Sequence, residues 1–398
     1  MSFKTRYLGD VVEFIRGITF KPDDVVLPEQ SGAVVCMRTK NIQEELDESD
    51  LIAVPQEFVK RDDLYLQEGD VLISSANSWN LVGKVAMVPA LPYKATAGGF
   101  IAIVRAKPGK ADPRFLYHWL ASEKSQAAIR ACGRQTTNIS NLSIPQFLAL
   151  AIAIPDLREQ QRIVAILDKA DSLRRKRQEA IRLADDFLQA SYLELANRQN
   201  DRITIDSVLA DIPNAARTGP FGSQMLVSEF QESGIPVLGI DNVVQNRFCW
   251  GAKRFISEAK YKELERYTVR PGDVMVTIMG TTGRVAIAPE DIPICISTKH
   301  LCTLTLDRSK MLPEYLWACL RWDLEVKAQT QREAKGAIME GWNMGIVKAL
   351  EVRRPSLDEQ QFFVNKVHAL RRLQSRTEKS LVLTDDLIGS LTNRFFTQ

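Results

Sequence analysis

A charged, helix-patterned stretch of about forty residues occurs twice in this chain, and the second copy follows the first by 200 positions without a gap. Pro155-Asp156-Leu157-Arg158-Glu159-Gln160-Gln161 opens one copy; Pro355-Ser356-Leu357-Asp358-Glu359-Gln360-Gln361 opens the other. Leu173 falls on Leu373, Leu183 on Leu383, and Asp185-Asp186 on Asp385-Asp386. A repeat of this length is one supersecondary unit used twice, and it constrains the fold more than any local propensity.

Both copies read as helices. The proline stands just ahead of the periodic run, and Ser356 with Glu359 has the spacing of a capping box, as Asp156 with Glu159 has more weakly. Apolar positions recur in steps of three and four: Ile163, Leu167, Ala170, Leu173, Arg177, Ile181, Ala184, Leu188, Ser191 and Leu195, answered by Phe363, Val367, Leu370, Leu373, Thr377, Leu381, Thr384, Ile388, Leu391 and Phe395. Forty residues at 1.5 Å each make a helix of roughly 60 Å. Two readings fit: a long amphipathic helix packed on its own domain, or two copies pairing as an intramolecular antiparallel coiled coil. The shared seam favours the second.

The segments between the helices repeat as well, more loosely. Gly69-Asp70-Val71 is answered by Gly272-Asp273-Val274, Gly83-Lys84-Val85-Ala86 by Gly283-Arg284-Val285-Ala286, and Pro113-Arg114-Phe115-Leu116 by Pro313-Glu314-Tyr315-Leu316. Strand and helix landmarks match while the loops differ: Asn77-Ser78-Trp79-Asn80 stands where Gly280-Thr281-Thr282 stands. The expected architecture is therefore α+β: an α/β globule at 1–153, a spacer helix at 154–199, a second α/β globule at 200–354 and a second spacer helix at 355–398, arranged with pseudo-twofold symmetry. One scaffold carrying two loop sets is a pattern for varied recognition.

The chain is 398 residues long, too many for one ordinary core, and its apolar share of 45% is that of a soluble globular protein. No 18-residue apolar run or secretory signal is evident, so a cytoplasmic protein with no membrane association is expected. The six cysteines are scattered, and read as reduced thiols rather than a disulfide framework or zinc site. No P-loop, no methyltransferase signature and no histidine-based cluster or triad is present. Glu258-Ala259-Lys260 and Glu333-Ala334-Lys335 resemble part of a nuclease carboxylate–lysine set, a triplet that chance supplies in any charged chain. Duplication without catalytic motifs points to binding, with no metal and no cofactor expected on the chain itself.

Polar residues able to read base edges or hold phosphates cluster in loops of both globules. In the first they are Arg38, Lys40, Asn41, Asn77, Ser78, Trp79, Asn80, Lys84, Arg134, Gln135, Thr136 and Asn138. In the second they are Arg217, Ser223, Gln224, Asn242, Arg247, Thr281, Thr282, Arg284, Lys299, His300, Trp342 and Asn343. The basic run Arg174-Arg175-Lys176-Arg177 fits a solvated helix face, a phosphate contact or a docking site for a partner. The net charge of +3 neither demands nor excludes nucleic acid.

The paired Pro-x-Leu-x-Glu-Gln-Gln entries resemble those of the specificity subunits of type I restriction–modification systems. Thr218-Gly219-Pro220-Phe221-Gly222-Ser223 and Gly234-Ile235-Pro236-Val237 extend the resemblance, with Arg16-Gly17-Ile18-Thr19-Phe20-Lys21 as a worn counterpart in the first globule. The resemblance implies a non-catalytic reader of a bipartite, asymmetric sequence in double-stranded DNA, each globule a target-recognition domain. It implies two methyltransferase subunits as partners, and restriction subunits in the full complex. S-adenosylmethionine, ATP and magnesium would sit on those partners. A coiled-coil scaffold without sequence-specific DNA binding is the alternative.

Overall fold

The structure is a computed structural model that describes residues 3–135, 139–334 and 341–396. Two helices dominate it, Leu157–Asn197 with 41 residues and Leu357–Phe396 with 40. The capping box forms at the second: the Glu359 carboxylate accepts from the Ser356 N–H at 2.9 Å, and the Ser356 hydroxyl accepts from the Glu359 N–H at 3.4 Å. At the first, Asp156 Oδ1 accepts from the Glu159 N–H at 2.9 Å. The chain divides into two compact units, Met1–Gln178 with Lys379–Gln398, and Glu179–Glu378, so each long helix contributes to both.

The first unit is built on strands β1 (Val12–Arg16), β2 (Val71–Ser74), β3 (Ala76–Asn77), β4 (Val85–Met87) and β5 (Ile101–Ala106). An antiparallel sheet runs in the order β1-β5-β2-β4. Along β2 every side chain is buried, because each face of the strand meets its own core: Val71 and Ile73 on one side, Leu72 on the other. Helix α1 (Pro113–Ala121) follows, capped by Asp112, whose carboxylate accepts from the Arg114 and Phe115 N–H groups. Two short strands then return to β3: β6 (Gly133–Gln135) and β7 (Ser140–Leu142), in the order β6-β7-β3.

The second unit repeats the plan. Strands β8 (Ala216–Thr218), β9 (Val274–Thr277), β10 (Val285–Ile287) and β11 (Leu301–Leu304) form a sheet in the order β8-β11-β9-β10. Here Val274 and Val276 face one core and Met275 the other. Helix α2 (Pro313–Trp322) occupies the place of α1 and is almost wholly buried.

Within each unit the long helices run antiparallel. In the first, Ile163 and Leu167 share a core with Leu391, Phe395 and Phe396, so the start of one helix meets the end of the other. In the second, Leu188 and Tyr192 share a core with Phe363, Val367 and Leu370. The seam differs from the sequence expectation at one step. Leu173 and Leu373 point outward, 43% and 55% exposed, while Arg174 and Gln374 are half-buried. Continuing the four-three alternation from Ala170 and Leu370 leads to 174 and 374, and helical period outweighs the apolar character of the neighbouring leucines. The middle of the seam is thus polar. In the first unit Arg177 donates to the Ser380 carbonyl at 2.9 Å and to the Thr384 hydroxyl; in the second Gln374 donates to the Ile181 carbonyl at 3.2 Å.

The repeated Glu-Gln-Gln has a structural reason. Its first glutamine is buried in both copies and ties the globule to the helix. Gln160 Oε1 accepts from the Asp112 N–H at 2.7 Å, and its amide donates to the Pro155 carbonyl at 2.9 Å. Gln360 Oε1 accepts from the Leu312 N–H at 2.9 Å, and its amide donates to the Pro355 carbonyl at 3.1 Å. Gln160→Ala or Gln360→Ala orphans a backbone N–H at the start of α1 or α2. Each is expected to destabilise its unit by about 1–3 kcal/mol, read as a lower urea midpoint.

Candidate nucleic-acid interface

In both units one backbone junction gathers three loops. In the first, Ser75 follows the central strand β2. Its N–H donates to the Phe100 carbonyl at 2.9 Å, and its carbonyl accepts from the Leu142 N–H at 2.8 Å. In the second, Ile278 follows β9. Its N–H donates to the His300 carbonyl at 2.9 Å, and its carbonyl accepts from the Trp342 N–H at 2.8 Å. A loop after the central strand, a tight turn before the next strand and a returning segment after the helices therefore meet at one edge. Backbone hydrogen bonds fix the edge, leaving its side chains free to vary.

The tight turn is held by close backbone approach. A Cβ on Gly17 would lie 2.2 Å from the Gly98 carbonyl oxygen, and one on Gly219 would lie 2.0 Å from the Ser297 carbonyl oxygen. Only glycine fits at either crossing, which accounts for the Gly17 and Gly219 of the two related motifs.

At the first edge stand Asn77, Ser78, Trp79, Asn80, Arg134 and Asn141. Asn141 pairs across the small sheet with Arg134 on one side and Ala76 on the other. The Asn77 amide donates to the Ser74 hydroxyl at 3.2 Å, and its carbonyl accepts from the Ser78 N–H at 2.8 Å. The Trp79 ring lies 3.5 Å from where a Cβ of Gly133 would be, so the ring covers that glycine. Gln135 pairs in backbone register with Ser140, while Thr136 and Asn138 lie outside the described residues. Lys84 borders the edge and donates to Gln43 Oε1 at 2.6 Å, which brings the 38–43 loop alongside.

At the second edge stand Thr281, Thr282, Arg284, Lys299, His300, Trp342 and Asn343. Trp342 packs its ring 3.0 Å from a Cβ position on Gly283, a tryptophan-on-glycine contact with the two loops' roles exchanged relative to the first unit. Asn343 caps the short helix Met344–Ala349 through the Ile346 N–H at 2.9 Å. Partial burial, with Lys299 and Arg254 nearby, holds the His300 imidazole below its ordinary value of 6.5 and favours its neutral form.

Six of the expected reading residues are committed elsewhere. Arg217 is 4% exposed; its guanidinium is bound by Asp273, the Thr268 carbonyl at 2.7 Å and the Asn214 carbonyl at 3.0 Å. Asn41 and Asn242 are buried turn caps: Asn41 Oδ1 accepts from the Arg38 N–H at 2.8 Å, and Asn242 Oδ1 from the Gly239 N–H at 2.8 Å. Arg247 reaches the second long helix, where it ion-pairs with Glu378. Arg38 is half-buried and, like the exposed Lys40, pairs with Asp50. Ser223 and Gln224 are exposed on a separate turn, where Gln224 Oε1 accepts from the Tyr267 hydroxyl at 2.9 Å. Phe100, an aromatic rather than a hydrogen-bonding residue, is 64% exposed at the first edge, in the place His300 takes at the second. Its signal in the sequence is the Gly98-Gly99 pair that precedes it.

The family described as type I restriction modification DNA specificity domain matches residues 2–183, and the fold of that stretch recurs in the second unit. Over that stretch the chain is similar to the type I restriction–modification specificity family. It is 26% identical to the EcoKI specificity subunit of Escherichia coli K12 over 68% of its own length and 60% of that protein's. With the StySPI specificity subunit of Salmonella potsdam it shares 25% identity, over 98% of this chain and 87% of that one. Among solved structures, the S subunit of a Mycoplasma genitalium type I restriction–modification system matches with a TM-score of 0.62 at 14% identity, over 100% of this chain and 96% of the other. That likeness is one of fold, and it covers the residues of both units.

Proposed function

We propose that this chain is the DNA-reading component of a type I restriction–modification complex, and that each three-loop edge reads one half of a bipartite, asymmetric site. The observation that carries this reading is the junction at Ser75 and Ile278: one backbone frame, two different sets of readers. Asn80, Arg134 and Asn141 offer the bidentate groups that major-groove recognition uses, and Thr281, Arg284 and Lys299 offer a different pattern. Different readers imply different half-sites. The paired long helices, about 60 Å each, set the spacing between them.

The same helices dock the partners. Leu183, Phe187 and Phe362 are exposed on the helices of the second unit, and Leu173, Val382 and Leu383 on those of the first. Large apolar side chains left in water mark surfaces for association. Two methyltransferase subunits would take these faces, and restriction subunits would join through them. Base flipping and methyl transfer belong to the partners, which bring S-adenosylmethionine; ATP and magnesium serve the restriction subunits; the chain itself performs no chemistry.

A gel shift of the chain with its methyltransferase partner, on duplexes selected from a random pool, tests the reading. Equal binding to selected and random duplexes would sink it. Arg134→Ala and Arg284→Ala are each expected to weaken binding by about 1–3 kcal/mol. Arg134→Ala relaxes preference only in one half-site and Arg284→Ala only in the other.

A further inference from the structure

We infer that each globule is keyed to its own stretch of the long helices by charged contacts that differ in sign between the two units, so that a globule moved to the other stretch loses stability.

In the first unit, α1 presents a guanidinium and an imidazole to an acidic helix position. Arg114 Nε lies 2.7 Å from Asp168 Oδ2, and His118 Nε2 lies 2.7 Å from Asp168 Oδ1. In the second unit the corresponding helix presents an anion to a basic position: Glu314 Oε1 lies 2.7 Å from His368 Nε2. Glu314 and His368 stand 200 residues after Arg114 and Asp168, so the globule side changes from cation to anion while the helix side changes from a carboxylate to an imidazole.

A second globule–helix contact also differs in sign, at neighbouring rather than matching helix positions, since Gln178 stands where Glu378 does and Gln374 and Ser375 where Arg174 and Arg175 do. In the first unit the loop after Asn41 is acidic and the helix basic: Glu45 pairs with Arg175, and Glu44 with Arg174 at 3.9 Å. In the second unit the loop after Asn242 is basic and the helix acidic: Arg247 pairs with Glu378. A further pair of the second unit, Arg321 of α2 with Asp185 of the first long helix, has only Ala121 at the matching globule position of the first.

An exposed ion pair adds little stability, but turning an attraction into a like-charge contact changes the balance at every position where it occurs. Placed on the other helix stretch, the first globule would set Arg114 against His368, where no carboxylate answers it, and Glu44 and Glu45 near Glu378. The second globule would set Glu314 against Asp168, and Arg247 against Arg174 and Arg175. The hydrogen bonds of the buried glutamines are alike in the two units and do not discriminate; the charges differ, and so do the apolar neighbours, with Phe115 and Ile163 in the first unit answered by Tyr315 and Phe363 in the second. The basic run at 174–176 thereby gains a role: Arg174 and Arg175 hold the acidic loop of their own globule.

The test has two arms, both on the full chain at low ionic strength. In the first, Arg247→Glu and Glu378→Arg are made singly and together. Each single change is expected to lower the melting midpoint by roughly 2–4 °C, and the double change to recover most of that loss, with the coupling fading at 1 M salt. In the second, residues 1–153 and 200–354 are transposed. The transposed chain is expected to melt below the parent, and to recover when the helix charges are reversed by Asp168→His, His368→Asp, Arg174→Glu, Arg175→Glu and Glu378→Arg. Additive single changes, or a transposed chain as stable as the parent, would overturn the inference. If the transposed chain fails to fold and its charge-reversed version fails too, the inference is also overturned, because apolar packing would then decide the placement.

Discussion

Asp273→Ala is expected to destabilise the second unit by about 3–5 kcal/mol, the usual loss when one partner of a buried ion pair is removed. Asp273 is 1% exposed and holds three donors: the Arg217 guanidinium, the Arg270 N–H at 2.6 Å and the Thr305 hydroxyl at 2.5 Å. Without the carboxylate, Arg217 stays inside the fold as a cation with only neutral acceptors. Replacing both partners by apolar residues of similar volume removes the stranded charge along with the pair, so Arg217→Met with Asp273→Leu is expected to lose less than Asp273→Ala alone. Urea unfolding of the three proteins decides the matter; equal losses for the single and the double change would show that packing, not charge burial, governs the site. The first unit has a milder version, Asp70 with Arg105 at 2.7 Å, whose arginine keeps contact with solvent. Asp70→Ala is accordingly expected to be less damaging.

That pair also shows where reading the sequence stops. The Gly-Asp turns at 69–70 and 272–273 are visible as strand openings, because glycine in the left-handed region announces a turn. Their arginine partners come from unlike places, Arg105 on β5 and Arg217 on β8, and no spacing announces them. Arg217 therefore read as a loop cation open to DNA when it is a core residue. The long helices were legible because their period is local and uninterrupted. Even there, ranking Leu173 above Arg174 by apolarity shifted the seam by one residue, and only the unbroken four-three alternation restores it. The reading edge was legible as composition but not as geometry. Ser75 bonds to Phe100 and Leu142, and Ile278 to His300 and Trp342, across separations in sequence that no local pattern encodes. The glutamines of the repeated motif were visible as a signature; their reason, a buried amide bridging two helix starts, needed the fold.

Exchanging residues 200–354 for the matching segment of a relative with a different target is expected to change one half of the recognised site completely, leaving the other half and the spacing intact. The second edge lies wholly inside that segment: Thr281, Thr282, Arg284, Lys299, His300, Trp342 and Asn343 travel together, as does the Ile278 junction that holds them. The first edge, from Asn77 to Asn141, lies wholly outside it. Each mismatched base pair weakens specific binding by about 1–3 kcal/mol, so an altered half-site of three or four pairs returns the original DNA to the non-specific level. The graft must keep Arg247, Glu314 and Arg321, whose partners Glu378, His368 and Asp185 remain on the host helices. Without them the expected outcome is a folded but less stable chain with the same new half-site, which separates anchoring from reading. Mapping methylated sites in cells that carry the chimera with its methyltransferase measures both halves at once. A chimera that methylates sites altered in both halves, or in spacing alone, would rule out one edge per half-site.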